Sequence, residues 1–182
     1  IGIPYRADKS MEIVKQLFDL GILFEHITDL SEILKTYEGY AKIEADFRKT
    51  KPDIDKFLSD SIEAAVLISQ LDFRGGIEND NTKEIRSGIR RINTHTIGKY
   101  TFLNAKEDAS KIGCLASLLK DKRLDMDIDK IRKDRADIEK IRNMNLPDRF
   151  AILNKLKPIS PESFYLWVVA LYGGGNAGHR PG

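Results

Sequence analysis

The chain has 182 residues, 41% hydrophobic and 32% charged, with 30 Lys and Arg against 28 Asp and Glu for a net charge of +2. That is the size and make-up of one globular domain, with or without a small extension, carrying a heavily charged surface. The near-neutral balance gives no general case for nucleic acid, the single Cys114 rules out an internal disulfide framework and a cysteine-rich zinc site, and no apolar run approaches a bilayer-spanning length.

The first expected helix covers about 8–25, "DKSMEIVKQLFDLGILF" and its flank. It is apolar nearly all round. Yet Lys9, Glu12, Gln16 and Asp19 recur at i, i+3, i+7 and i+10, one narrow polar stripe at about 100° per residue. The stripe faces either water or a site. Asp29, with Glu32 three positions on, marks the start of a second helix over about 30–49. Pro52 ends it, and Asp53 is placed to cap a third over about 54–71. "DFRGGIENDN" is a loop.

A fourth helix is expected over about 82–94, in "TKEIRSGIRRINTHTIGKY". Lys83, Arg86 and Arg90 fall on one face, with Asn93 and Thr94 beside them, opposite Ile85, Ile89 and Ile92. A basic face over an anchored apolar face suits phosphate contacts. The competing reading is a solvated face that pairs with acids elsewhere, and no aromatic platform is interleaved with it. Arg90 and His95 also have an R-x4-H interval, the kind found in helical ribonucleases of the HEPN type, where the histidine moves a proton and the arginine steadies the phosphate. The same histidine suits the end of a helix. His26, His95 and His179 show no metal-ligand spacing.

Asn104 with Glu107 has the spacing of a helix start, for a fifth helix over about 105–121 with Gly113, Ala116 and Ser117 open to a close neighbour. A sixth, over about 127–142, carries charge pairs at i,i+4 such as Asp129–Lys133, Lys130–Asp134 and Arg135–Glu139, and reads as an outer, solvated helix. Two short helices follow, in "LPDRFAILNKL" and "SPESFYLWVVALY", the second with Trp167 in the core. Residues 173–182, "GGGNAGHRPG" with its preceding turn, read as a flexible tail. The expectation is an all-α bundle of seven or eight helices with no substantial sheet, a helical domain over residues 1–172.

The segments "IPYRADKSMEIVKQLFDLGILF", "SIEAAVLIS…IRSGIRRI…HTIGKYTFLNAKEDASKIGCLASLL" and "FAILNKLKPISPESFYLWVVALY" together resemble the C-terminal helical part of AbiEii/AbiGii-type nucleotidyltransferases, the toxins of abortive-infection and toxin–antitoxin systems. The resemblance implies a missing N-terminal nucleotidyltransferase domain, with Mg²⁺ and NTP used by the full-length protein and neither bound by this chain alone. It implies an antitoxin and an RNA acceptor as possible partners, a cytoplasmic location and no membrane. The start at Ile1 rather than Met fits entry into the middle of a longer protein. By resemblance, Lys9 and the Asp19 of "FDL" line the nucleotide cleft, and Lys83, Arg86, Arg90 and Arg91 face the RNA. The family's usual RD or KD pair is replaced here by Lys15-Gln16. The other functional classes are a helical protein-interaction module and the HEPN-like ribonuclease.

Overall fold

The computed structural model describes residues 9–47, 49–93, 98–134 and 138–173. It is all-α: among the described residues there is no strand. The helices are α1 (Ser10–Phe24), α2 (Leu30–Phe47), α3 (Ile54–Ser69), α4 (Asp80–Ile92), α5 (Phe102–Lys120), α6 (Ile128–Asp134) and α7 (Pro161–Tyr172), with 3-10 segments at Ile138–Ile141 and Asp148–Leu156.

The architecture is built round α5, which packs against α1, α3 and α7, while α4 packs on α1. A helix surrounded on several sides has no solvated face to spare. This is why α5 buries Lys106, Asp108 and Ser110 as well as Ala105, Ala109 and Cys114. Burial pushes the Cys114 thiol up to about 12, so it is an inert core group. Trp167 of α7 is fully buried and donates from Nε1 to Ser69 Oγ at 3.2 Å.

Three of these crossings need a glycine: α1 on α5, where a Cβ on Gly21 would collide with Asp108, and two others. A Cβ on Gly88 of α4 would run into the Ser10 carbonyl and lie 2.7 Å from Val14 Cγ2 of α1. A Cβ on Gly113 of α5 would lie 2.8 Å from the Trp167 ring atom Cζ2. In both places the backbone itself is the packing surface.

The expected caps hold at α2 and α3: Asp29 Oδ1 accepts from Ser31 N and Glu32 N at 2.7 and 3.1 Å, and Asp53 Oδ1 accepts from Lys56 N at 3.0 Å. Three expectations change. α5 starts earlier, because Thr101 and Asn104 form its capping box; Asn104 is the third helical residue and not the cap. The expected long outer helix is described as α over Ile128–Asp134 and as a 3-10 turn over Ile138–Ile141; its residues 135–137, and with them the Arg135–Glu139 pair, lie outside the described residues. Its Arg132 points inward, donating to the carbonyls of Phe24 at 2.8 Å and Ile27 at 2.7 Å while pairing with Asp129. The penultimate segment, Asp148–Leu156, is 3-10 rather than α. Asn154 bridges back to Leu146 there, accepting from its N–H at 2.9 Å and donating to its carbonyl at 3.1 Å.

Candidate functional site

α1 presents Lys9, Glu12, Gln16 and Asp19 to the outside, all exposed. Lys9 and Asp19 are ten residues apart, about 15 Å along a helix axis. Neither is among the residues that line the five best-formed cavities of the described residues.

The start of α1 is where the cationic features meet. α4 crosses it at Gly88, against the Ser10 backbone, and Arg91 Nη1 donates to Ser10 Oγ at 3.3 Å. Lys9, Arg90 and Arg91 are all exposed, and Lys9 occupies the N-cap position of α1 with no side-chain capping bond. The first N–H groups of a helix carry partial positive charge. This contact brings Arg91 to the start of α1, next to Lys9, while Arg90, two positions from Gly88 and about 200° round the helix, faces away from the crossing.

The other two basic residues of α4 are occupied differently. Lys83 is exposed and pairs with Asp80 at 3.2 Å. Arg86 is folded inward, its side chain 16% exposed. Its Nε donates to Asp72 at 2.9 Å and its two terminal nitrogens to Glu78, one at 2.7 Å. The bidentate guanidinium holds the Glu78 carboxyl below the usual carboxylate range. Arg86 clasps the loop between α3 and α4. The sequence expectation that it stands beside Lys83 and Arg90 on an open phosphate-facing surface is corrected by the two acids within its reach.

The pattern missed two buried polar groups. Lys106 donates to the carbonyls of Ser69, at 3.3 Å, and Leu71, and its ammonium lies 4.2 Å from the centre of the Phe73 ring. It serves the carbonyls at the end of α3, whose last turn holds no basic residue of its own. Burial pushes its pKa down to about 8, with Arg86 adding to the effect and Asp72 opposing it.

Asp108 is the second group. It accepts from the Tyr100 hydroxyl at 2.7 Å and faces Lys111 at 3.4 Å, which also reaches Glu25 at 3.0 Å. Burial raises both the Asp108 carboxyl and the Tyr100 phenol, the phenol further because the carboxylate lies beside it. Beside them is a cavity of about 280 Å³, walled also by Phe18, Lys99, Asn104 and Glu107. In sequence, "NAKEDASK" looks like an ordinary charged helix surface, and nothing local marks which charges turn inward.

His26 is exposed just past the end of α1, while His95 lies outside the described residues. Among the described residues no three His, Cys, Asp or Glu side chains converge to hold a metal. No described helix is long and apolar enough to cross a membrane.

Comparison of the chain with protein-family models, with characterised proteins and with solved structures gave no match.

Proposed function

We propose that this chain is the helical half of a nucleotidyltransferase-type toxin, which offers phosphate contacts to a nucleotide and an RNA acceptor and is inactive without an N-terminal catalytic domain. One observation supports this most: the α1–α4 crossing sets Arg91 against Ser10 at the start of α1, next to Lys9. Two exposed cations beside helix N–H groups suit phosphate oxygens, which take charge-assisted bonds from arginine and lysine, and exposed Arg90 adds charge on the adjoining face of α4. Lys83 extends the same basic helix toward the acceptor. Arg86 contributes by holding the preceding loop.

Asp19, further along the stripe, would orient cleft groups supplied by the catalytic domain. Mg²⁺ and the NTP would be held mainly by that domain, as the resemblance implies. The test joins the chain to the domain encoded upstream and follows transfer of labelled NTP to RNA. Lys9→Ala and Asp19→Ala should each lower transfer; equal transfer by wild type and both variants removes the cleft role. RNA cleavage by the chain alone, lost in His95→Ala, would instead support the ribonuclease reading.

A second reading, a protein-interaction module, has its own observation. A groove of about 390 Å³ between α1, α2, α3 and α5 is walled mostly by apolar side chains, among them Leu20, Leu23, Ile33, Tyr37, Leu115 and Leu119. An antitoxin is the partner class implied by the resemblance. Stable capture of a protein with no response to nucleotide would favour this reading.

A further inference from the structure

We infer that the groove between α1, α2, α3 and α5 binds a small neutral apolar molecule that carries one hydrogen-bond-accepting oxygen. The inference does not rest on the phosphate contacts at the start of α1, and it gives the groove an occupant other than a protein.

The groove exists because α2 stands off from the bundle. α2 takes no part in the main helix pairings. Half-buried Ile33, Leu34 and Tyr37 reach from it to the core. A space of about 390 Å³ remains, walled by Ile33 and Tyr37 on one side and by Leu115 and Leu119 of α5 among others. Packed helices ordinarily leave no gap of this size. It falls in the range of small-molecule sites, which are mostly apolar with a few placed polar groups. Part of the wall is held in advance. Arg132 donates to the carbonyls of Phe24 and Ile27 at 2.8 and 2.7 Å, and Asp29 caps α2 at the mouth. A site fixed before binding loses little order when it fills.

The polar groups of the wall select the occupant. The Tyr37 hydroxyl is buried and makes no hydrogen bond among the described residues. Ser61, which also lines the groove, lies beside it but donates its own proton to the Phe57 carbonyl at 3.0 Å. Burial raises the Tyr37 phenol, and Ser61 offsets this only in part. The phenol therefore keeps a proton that has no acceptor, a costly state for a buried donor. Water suits the place poorly, since a buried water needs roughly two to four polar partners and this wall is mostly leucine and isoleucine. An oxygen on an otherwise apolar molecule pairs the phenol and fills the space together. A protein's apolar side chains would fill the space and leave the phenol unpaired.

Charge narrows the class further. The titratable groups at the mouth are His26, Asp29 and Glu32, all exposed, and no described lysine or arginine lines the groove. The two acids disfavour an anion. An ammonium would have to leave water for an apolar floor. A neutral molecule meets neither penalty.

NMR titration of the full chain, labelled at Ile and Leu methyls, tests the proposal with acetophenone, ethylbenzene and benzoate as probes. Acetophenone should shift the methyls of Ile33, Leu115 and Leu119 saturably, and benzoate should not. Tyr37→Phe loses an unpaired hydroxyl, so it should fold as well as wild type. It should weaken acetophenone about tenfold and leave ethylbenzene, which has no oxygen, no weaker. Leu23→Glu, at an exposed position on the groove, should keep the wild-type helix signal in circular dichroism and weaken both neutral probes. Four results would each overturn the proposal: no saturable shift of the groove methyls, benzoate binding as tightly as acetophenone, acetophenone indifferent to Tyr37→Phe, or both neutral probes indifferent to Leu23→Glu.

Discussion

Lys106 shows what a single buried side chain asks of its surroundings. It is held among the end carbonyls of α3 and the Phe73 ring, where its charged form is poorly solvated. Its pKa is about 8 in the folded chain against an ordinary 10.5. Below pH 8 both folded and unfolded chains carry the proton, and pH has no effect through this group. Between about 8 and 10.5 the unfolded chain holds a proton that the folded chain has released, so stability rises with pH. Denaturant unfolding at a series of pH values should show this rise in wild type and not in Lys106→Met. Equal slopes in the two proteins would place the ammonium in water. None of this is legible in "NAKEDASK". The position of a charge on α5 says little about its environment when neighbours cover the helix on several sides.

At the scale of elements, the caps, prolines and apolar spacing made α1 to α4 and α7 readable to within a few residues, because those signals are local. Asp29, Asp53 and the Pro161 start are such signals. The 3-10 form of Ile138–Ile141 is marked by no glycine or proline, and the i,i+4 charge pairs fit a continuous helix equally well. The 3-10 form of Asp148–Leu156 is likewise accompanied by the Asn154 bridge to Leu146, eight residues away and outside the reach of helical periodicity.

The glycines separate these cases experimentally. Gly88→Ala should cost about 1–3 kcal/mol, since the Ser10 backbone cannot step aside without opening the α1–α4 crossing. Gly39→Ala, in α2 where a Cβ would meet nothing within 4 Å, should stabilise the chain by about 0.5–1 kcal/mol through helix propensity alone. Thermal or denaturant unfolding of the two variants should therefore move in opposite directions. A neutral Gly88→Ala would mean that the crossing is looser than described.

Across the whole molecule, the all-α architecture was legible because the apolar periodicity is helical almost throughout. The site was legible only in part. Lys9, Arg90 and Arg91 could be named from the sequence, but the meeting of Arg91 with the start of α1 depends on the α1–α4 crossing through Gly88. The separation of Arg86 from that group depends on Asp72 and Glu78 coming within its reach. The central claim is that this cationic end meets phosphate. Its most direct measurement is the salt dependence of single-stranded RNA binding by wild type and by a Lys9→Ala, Arg90→Ala, Arg91→Ala variant, with Arg86→Lys as a control for the loop clasp. Each lost phosphate contact should lower the slope of log affinity against log salt by about 0.7. The triple variant should therefore bind more weakly, with a slope lower by about 2. Unchanged affinity and slope in the triple variant would contradict the account.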